Sequence, residues 1–272
     1  MSVCDTIVWA RYLGAPVVTR RRMTTVRLKR PLRIEDGEGP PRYPVKDALA
    51  RLRYHIYKGH KHECSCCGRS FKLFLYSKQM AALCPYCLSF ERYRLLCRYL
   101  RDAREFGSGP TRILDIAPVW CFQEFCRSFD NVEYISIDLE SSMAMRHMDI
   151  QNLEFKDELF DCLICYHVLE HIDDDRKAMS ELYRVLKPGG WAIIQVPIFT
   201  ERTMERCEFT EEEAKETLKY DCHLRSYGKD FGDRLEAAGF KVEIDDFVKR
   251  FSTEEIARYG LDRTEDLYLC TK

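Results

Sequence analysis

Four cysteines set the first chemical constraint. Cys64 and Cys67, followed by Cys84 and Cys87, spell C-x2-C-x16-C-x2-C. Each short pair can present two sulfurs to one ion, and the stretch between the pairs lets the two turns meet, which is the spacing of a four-thiolate structural zinc site. Cys66 could take the place of Cys64 or Cys67, and His60 and His62 lie close by in sequence. Four thiolates leave no open position for a substrate, so the expected role is structural, as a staple for a small polar segment without a core of its own. The second constraint is His167-Val168-Leu169-Glu170-His171, which spells H-x-x-E-H. In inverted zinc proteases this motif needs a helix to bring both histidines to the ion. Here it follows the apolar, strand-like run Asp161–Tyr166, so the protease reading is rejected. His167 and His171 can still converge at the mouth of a site, and His223, in DCHLRSYG, is a further candidate. A histidine suits the deprotonation of a hydroxyl near neutral pH. The plainer alternative is that Glu170 or His171 bonds backbone and orders the loop.

These residues need elements to hold them. Asp173 and Asp174 sit where a helix N-cap and a first-turn acid belong, and Ala178, Leu182, Val185 and Leu186 then recur at helical spacing. Lys187-Pro188-Gly189-Gly190 reads as a stop, and Trp191–Val196 as a strand. Upstream, strands are expected at 112–117, 132–138 and 146–150, with a helix at 119–129. Downstream come a helix at 228–238, a strand at 241–247, a helix at 253–259 and a last strand at 266–270. Strands alternating with helices predict an α/β fold with a mostly parallel sheet, whose ligands lie beyond the strand carboxyl ends. Before it, 46–58 reads as helix, 64–87 as the cysteine module, and 89–104 as a helix with Phe90, Tyr93, Leu96, Leu100 and Ala103 on one face. The expected organisation is a basic tail and linker (1–45), a zinc-ribbon-like module with a connecting helix (46–104) and the α/β domain (105–272), which carries an insert at 198–226.

The run from Asp161 to Pro197, with HVLEH after one strand and LKPGG before the next, resembles the second half of a class I S-adenosylmethionine (SAM)-dependent methyltransferase of type 11 kind. The resemblance covers roughly 110–272. It implies a doubly wound, seven-stranded Rossmann-like sheet with a late hairpin. The turn Leu114-Asp115-Ile116-Ala117-Pro118 lacks the glycines usual in the family. It is similar to a D/H-x-A-P variant in uncharacterised methyltransferases that also carry an N-terminal CxxC pair. The resemblance implies that Asp115, Ala117, Asp138, Asp149, Ile150 and Tyr166 bind SAM, with Asp138 on the ribose hydroxyls and Asp149 and Ile150 at the adenine. Some metal-assisted O-methyltransferases carry E-x-x-E-H where this chain has His167–His171. His167, Glu170, His171 and His223 are therefore candidates for a divalent ion or for a catalytic base, and the His in place of the first Glu favours the base.

Charge is divided unevenly. Residues 1–112 hold 23 Lys and Arg against 9 Asp and Glu, and residues 113–272 hold 20 against 35. A basic module beside an acidic domain fits mutual attraction of the two parts, or a polyanion partner such as RNA. The eight Lys and Arg at 6–33, with no acid, leave import into an organelle open as a second location. No run approaches the ~20 apolar residues of a membrane span. The 14 cysteines in a chain of this length point to a reducing, cytoplasmic setting with free thiols, with Cys162 and Cys165 packed in the core. The expected reaction is methyl transfer to an O or N atom of a small-molecule acceptor, with an RNA methyltransferase and a non-catalytic scaffold as rivals.

Overall fold

The computed structural model describes residues 44–76, 82–210, 213, 218 and 222–272. The tail expected at 1–45 thus falls almost wholly outside the described residues, as do 211–212, 214–217 and 219–221 of the insert. Helix α1 (Pro44–Tyr57) leads into two small antiparallel hairpins, β1 (Lys58–Glu63) with β2 (Ser70–Phe71), and β3 (Leu75–Tyr76) with β4 (Ala82–Leu83). Helix α2 (Glu91–Asp102) follows.

The remainder alternates: β5 (Thr111–Ile116), α3 (Trp120–Cys126), β6 (Val132–Asp138), β7 (Arg146–His147), β8 (Phe160–Tyr166), α4 (Asp175–Val185) and β9 (Leu186–Gln195). The insert contributes β10 (Ile198–Thr200), β11 (Met204–Glu205) and β12 (Arg225–Gly228), which form a separate three-stranded sheet. Helix α5 (Phe231–Ala237), β13 (Lys241–Asp245), helix α6 (Thr253–Tyr259) and β14 (Leu267–Thr271) end the chain. The main sheet runs β13-β14-β9-β8-β5-β6-β7, parallel except for β14, which is antiparallel to both its neighbours. This is the seven-stranded Rossmann-like sheet, with its late hairpin, that the resemblance implied.

A central parallel strand is covered on both faces, and β8 shows the consequence. Cys162, Ile164 and Tyr166 join one core, shared with α2, α3 and the cysteine module. Leu163 and Cys165 join the other, under α4 and α5. Both strand cysteines are fully buried, one in each layer. The first core runs unbroken from Phe71 and Phe74 of the module to Phe122 of α3 and Phe247, so the module is welded to one face of the sheet.

Several boundaries differ from the sequence reading. Helix α4 ends at Val185, as the KPGG stop implied, but β9 already begins at Leu186 and takes in LKPGG, with Gly189 left-handed at φ 75°. Gly189 N–H donates to Lys272 O at 3.0 Å and Lys272 N–H to Gly190 O at 3.2 Å, so the chain end ties this segment down. Asp174, not Asp173, caps α4, accepting from Lys177 N–H. Pro118 lies before α3, which starts at Trp120 with Val119 as its cap. On α2, Ala103 is exposed while Leu95, Cys97 and Tyr99 are buried besides Tyr93, Leu96 and Leu100. This helix is covered on two sides, so a single-face pattern understated its burial.

Candidate functional site

Two knuckles of the same design build the cysteine centre. In each, the residue after the second cysteine turns left-handed and donates back to the first: Gly68 N–H to Cys64 O at 2.8 Å, and Leu88 N–H to Cys84 O at 3.0 Å. The four sulfurs of Cys64, Cys67, Cys84 and Cys87 lie within 4.8 Å of one another. Cys64 Sγ is 3.6 Å from Cys87 Sγ, and Cys67 Sγ is 3.8 Å from Cys84 Sγ. A tetrahedral ion with ~2.3 Å zinc–sulfur bonds sets sulfurs about 3.8 Å apart, so the four fit such an ion. Cys66 stands beside this set, its thiol against those of Cys121, Cys64, Cys87 and Cys97, but the compact group of four is Cys64, Cys67, Cys84 and Cys87. Guanidinium groups cap the knuckle carbonyls: Arg53 on Pro85 O, Arg69 on Cys67 O, Arg94 on Ser89 O and Arg101 on Ser65 O. Four cations around the cluster suit a centre that carries net negative charge.

The other candidate residues gather at the carboxyl edge of the sheet. Ala117, after β5, and His167, after β8, both adopt left-handed backbone, at φ 55° and 58°. For a residue with a Cβ this costs roughly 1–2 kcal/mol, and such strain clusters at functional turns. Ala117 N–H donates to Ile137 O at 2.8 Å, so that N–H is engaged in the sheet rather than offered to a ligand. Asp138, at the end of β6, accepts from Glu140 N–H and Ser141 N–H through Oδ1, and its Oδ2 takes no hydrogen bond among the described residues. Asp149 caps its own turn, accepting from Gln151 N–H at 2.8 Å. Ile150 is packed into the core. Asp115 is buried under the edge, where loss of water pushes its carboxyl up to about 7 against the hydrogen bond from Tyr134 Oη at 2.5 Å. Tyr166 is buried and donates to Glu265 Oε1 at 3.1 Å.

From Glu265 a row of titratable groups crosses the site. His167 Nε2 lies 3.9 Å from Glu265 Oε1, and His167 Nδ1 lies 3.6 Å from Glu170 Oε1. The same Glu170 oxygen is 3.8 Å from His171 Nε2. His171 Nδ1 is 3.1 Å from Cys222 O, a carbonyl that can only accept, so Nδ1 carries the proton. The His223 ring packs edge-on to His171, with centroids 5.0 Å apart. Burial would lower the His167 pKa, but Glu170 and Glu265 outweigh it and raise it. Burial pushes His223 down to about 4, against the pull of Glu170. The side chain of His167 is 20% exposed and those of Glu170 and His171 are 2% and 9%. His167 is therefore the most exposed side chain of the trio, although its Nε2 is itself buried and takes no hydrogen bond among the described residues. His171, Cys222 and His223 also bring three donor atoms within 4.8 Å of one another.

Comparison with known proteins now bears on this edge. Residues 114–194 match the methyltransferase domain family. A probable S-adenosylmethionine-dependent methyltransferase of Mycolicibacterium smegmatis is 31% identical over 100 residues, 36% of this chain and 35% of that protein. The ubiquinone/menaquinone biosynthesis C-methyltransferase UbiE of Haemophilus ducreyi is 28% identical over 137 residues, 41% of this chain and 52% of its own. The chain thus spans about a third to a half of these relatives' lengths. Among solved structures, a SAM-dependent methyltransferase from Archaeoglobus fulgidus matches with a TM-score of 0.46 at 19% identity, over 65% of this chain and 93% of that one.

Sequence reasoning missed the residues that tie the edge of the methyltransferase domain together. Glu265 is one, 99 positions from Tyr166. Arg225 is another. Its buried guanidinium donates to Leu169 O, Ile172 O and Asp173 O at 2.8, 2.5 and 2.9 Å, and pairs with Glu205 at 3.0 Å. Leu224 N–H adds a bond to Glu170 O. The end of the insert is thereby stitched to the loop that carries Glu170 and His171. Arg225→Ala strands three carbonyls and a buried ion pair. It should cost about 3–5 kcal/mol, a fall in Tm of roughly 10 °C or more. Unfolding within 2 °C of the parent protein would show the stitch to be dispensable.

Proposed function

We propose that this chain is a SAM-dependent methyltransferase that acts on an O or N atom of a small-molecule acceptor. The observation that carries this reading is the meeting of two strained turns, Ala117 and His167, with the carboxylate of Asp138 at one sheet edge of a methyltransferase domain. On this reading Asp138 takes the ribose hydroxyls through Oδ2 and Asp149 the adenine amine, while Asp115, Ala117, Ile150 and Tyr166 form the surrounding wall. When bound, SAM would supply an electrophilic methyl on its sulfonium. The chain's own part is to align the acceptor and remove its proton.

For that proton we favour His167, which reaches the edge between two carboxylates. His171 and His223 are then supports: His171 is held through Nδ1 by the Cys222 carbonyl, and buried His223 is a weak base. A base works in its neutral form, and the pKa of His167 is raised above 6.5. Activity should accordingly rise with pH through a limb above pH 6.5. Glu170→Gln removes the carboxylate that holds the proton, so the limb should move to lower pH. A kcat/KM profile over pH 5–9 for both proteins checks this, and a limb that does not move excludes the His167–Glu170 pair. A second reading has His171 and His223, with Glu170, hold a divalent ion, in which case a chelator abolishes activity; Cys222 is tied up in a disulfide and offers no thiolate.

We also propose that Cys64, Cys67, Cys84 and Cys87 hold one structural zinc, in a module and connecting helix at 46–104, with the methyltransferase domain at 105–272 and the insert 198–226 as the acceptor's lid. Twelve of the thirteen cysteines among the described residues are free, which suits a reducing compartment such as the cytoplasm, while Cys222 is disulfide-bonded. No helix among the described residues is long and apolar enough to cross a membrane.

An RNA acceptor is favoured by one feature. Arg51, Lys58, Lys61 and Lys72 are exposed on the module and make no ion pair among the described residues. If RNA is the acceptor, binding should weaken steeply with salt. Product analysis with labelled SAM separates small molecule from RNA and oxygen or nitrogen from carbon.

A further inference from the structure

We infer that the cysteine module positions the cofactor turn, through Tyr86 of the second knuckle and Trp120 of α3. This rests on the SAM-binding reading of that turn. Between Leu114 and Trp120 the chain has no glycine, yet Ala117 stands at φ 55°. A glycine-rich turn adopts such backbone without help, whereas an alanine holds it only where the surroundings over-determine it. The helix that follows has no side-chain cap at Val119, and the Ala117 N–H bond to Ile137 O holds only the entry to the turn, so its exit depends on tertiary packing.

The module supplies that packing from both knuckles. Tyr86 sits between Cys84 and Cys87, and its ring lies 6.1 Å from the Trp120 ring at 35°. The Tyr86 ring is itself fixed: Arg69 Cζ lies 3.7 Å from its centroid, and Tyr54 meets it edge-on at 6.2 Å. From the first knuckle, Cys66 lies against Cys121, the residue after Trp120. The first two residues of α3 are thus held by one knuckle each. Trp120 is only 9% exposed, so it cannot swing away without opening the core. On the other side of the site, Tyr93 of α2 packs on Tyr166 at 5.6 Å. The module therefore borders the edge at the ends of both β5 and β8. Tyr86 is a positioning residue, since it meets the cofactor turn only through Trp120.

The test is a double-mutant cycle on S-adenosylhomocysteine binding by the full chain, with metal content and Tm measured for each protein. Tyr86→Ala and Trp120→Leu should each weaken binding roughly tenfold, as expected for a lost aromatic pair. The double variant should bind no more weakly than the weaker single variant, because both remove one contact. Tyr86→Phe should bind as the parent does, and metal content should stay constant throughout. Unchanged affinity in Tyr86→Ala with its metal retained would overturn the inference and leave SAM binding intact. So would losses that multiply to about a hundredfold in the double variant. If Tyr86→Ala loses metal, Trp120→Leu decides alone, and an unchanged affinity there overturns the inference. A parent protein that does not bind S-adenosylhomocysteine overturns both this inference and the reading beneath it.

Discussion

Cys84→Ser should release the metal and melt the module with it. Cys84 is fully buried, its sulfur is 3.8 Å from that of Cys67, and its carbonyl anchors the second knuckle. Structural zinc contributes an apparent ~10–16 kcal/mol to the folding of small zinc modules, more than the whole stability of a typical domain. The damage should spread, because Cys64, Cys84, Phe71 and Phe74 share one core with α2, α3 and a face of the sheet. Metal analysis should give one zinc per parent chain and well under that for the variant, with a Tm lower by tens of degrees or no cooperative transition at all. A metal-free parent protein with an unchanged Tm would refute the zinc assignment.

His167→Ala should lower kcat about 10²–10⁴-fold, the usual contribution of a positioned base. The same variant should bind S-adenosylhomocysteine within a few-fold of the parent, because the proposed cofactor contacts lie on Asp138 and Asp149. A matched loss in kcat and affinity would mean that His167 shapes the cofactor pocket instead. A kcat within threefold of the parent would remove His167 from the chemistry. Asp138→Ala should do the opposite. Losing hydrogen bonds to a charged acceptor costs ~1.5–3 kcal/mol, so affinity should fall about ten- to a hundredfold while the chain stays folded. Unchanged affinity would show that Asp138 faces elsewhere.

The parts of this molecule that were legible in sequence are those with local periodicity or fixed spacing. The paired C-x2-C turns show in four letters what the sulfurs then do in space. The Asp161–Val196 run shows β8, α4 and β9 because a buried parallel strand and an amphipathic helix have distinct patterns. Where the structure departs from expectation, a distant partner is responsible. KPGG stops the helix as its residues suggest, but its place in β9 shows only once Lys272 pairs with it. The α2 face looks single until the module covers the other side.

The candidate site was half legible for the same reason. HVLEH and His223 were visible as chemistry. Their division into a carboxylate-flanked His167 and an inward-facing His171 depends on Glu265 and on the Cys222 carbonyl, neither of which any local pattern marks. Arg225 and Arg94 look like surface cations in sequence, yet both are buried and aimed at main-chain carbonyls. Backbone strain at Ala117 is likewise invisible, since an alanine in a loop carries no sign of positive φ.

Calorimetric titration of the purified full chain with S-adenosylhomocysteine tests the central claim most directly. One saturable site per chain, weakened about ten- to a hundredfold by Asp138→Ala, is the predicted result. A folded, zinc-loaded protein that takes up no S-adenosylhomocysteine would contradict the account and leave a methyltransferase fold put to another use.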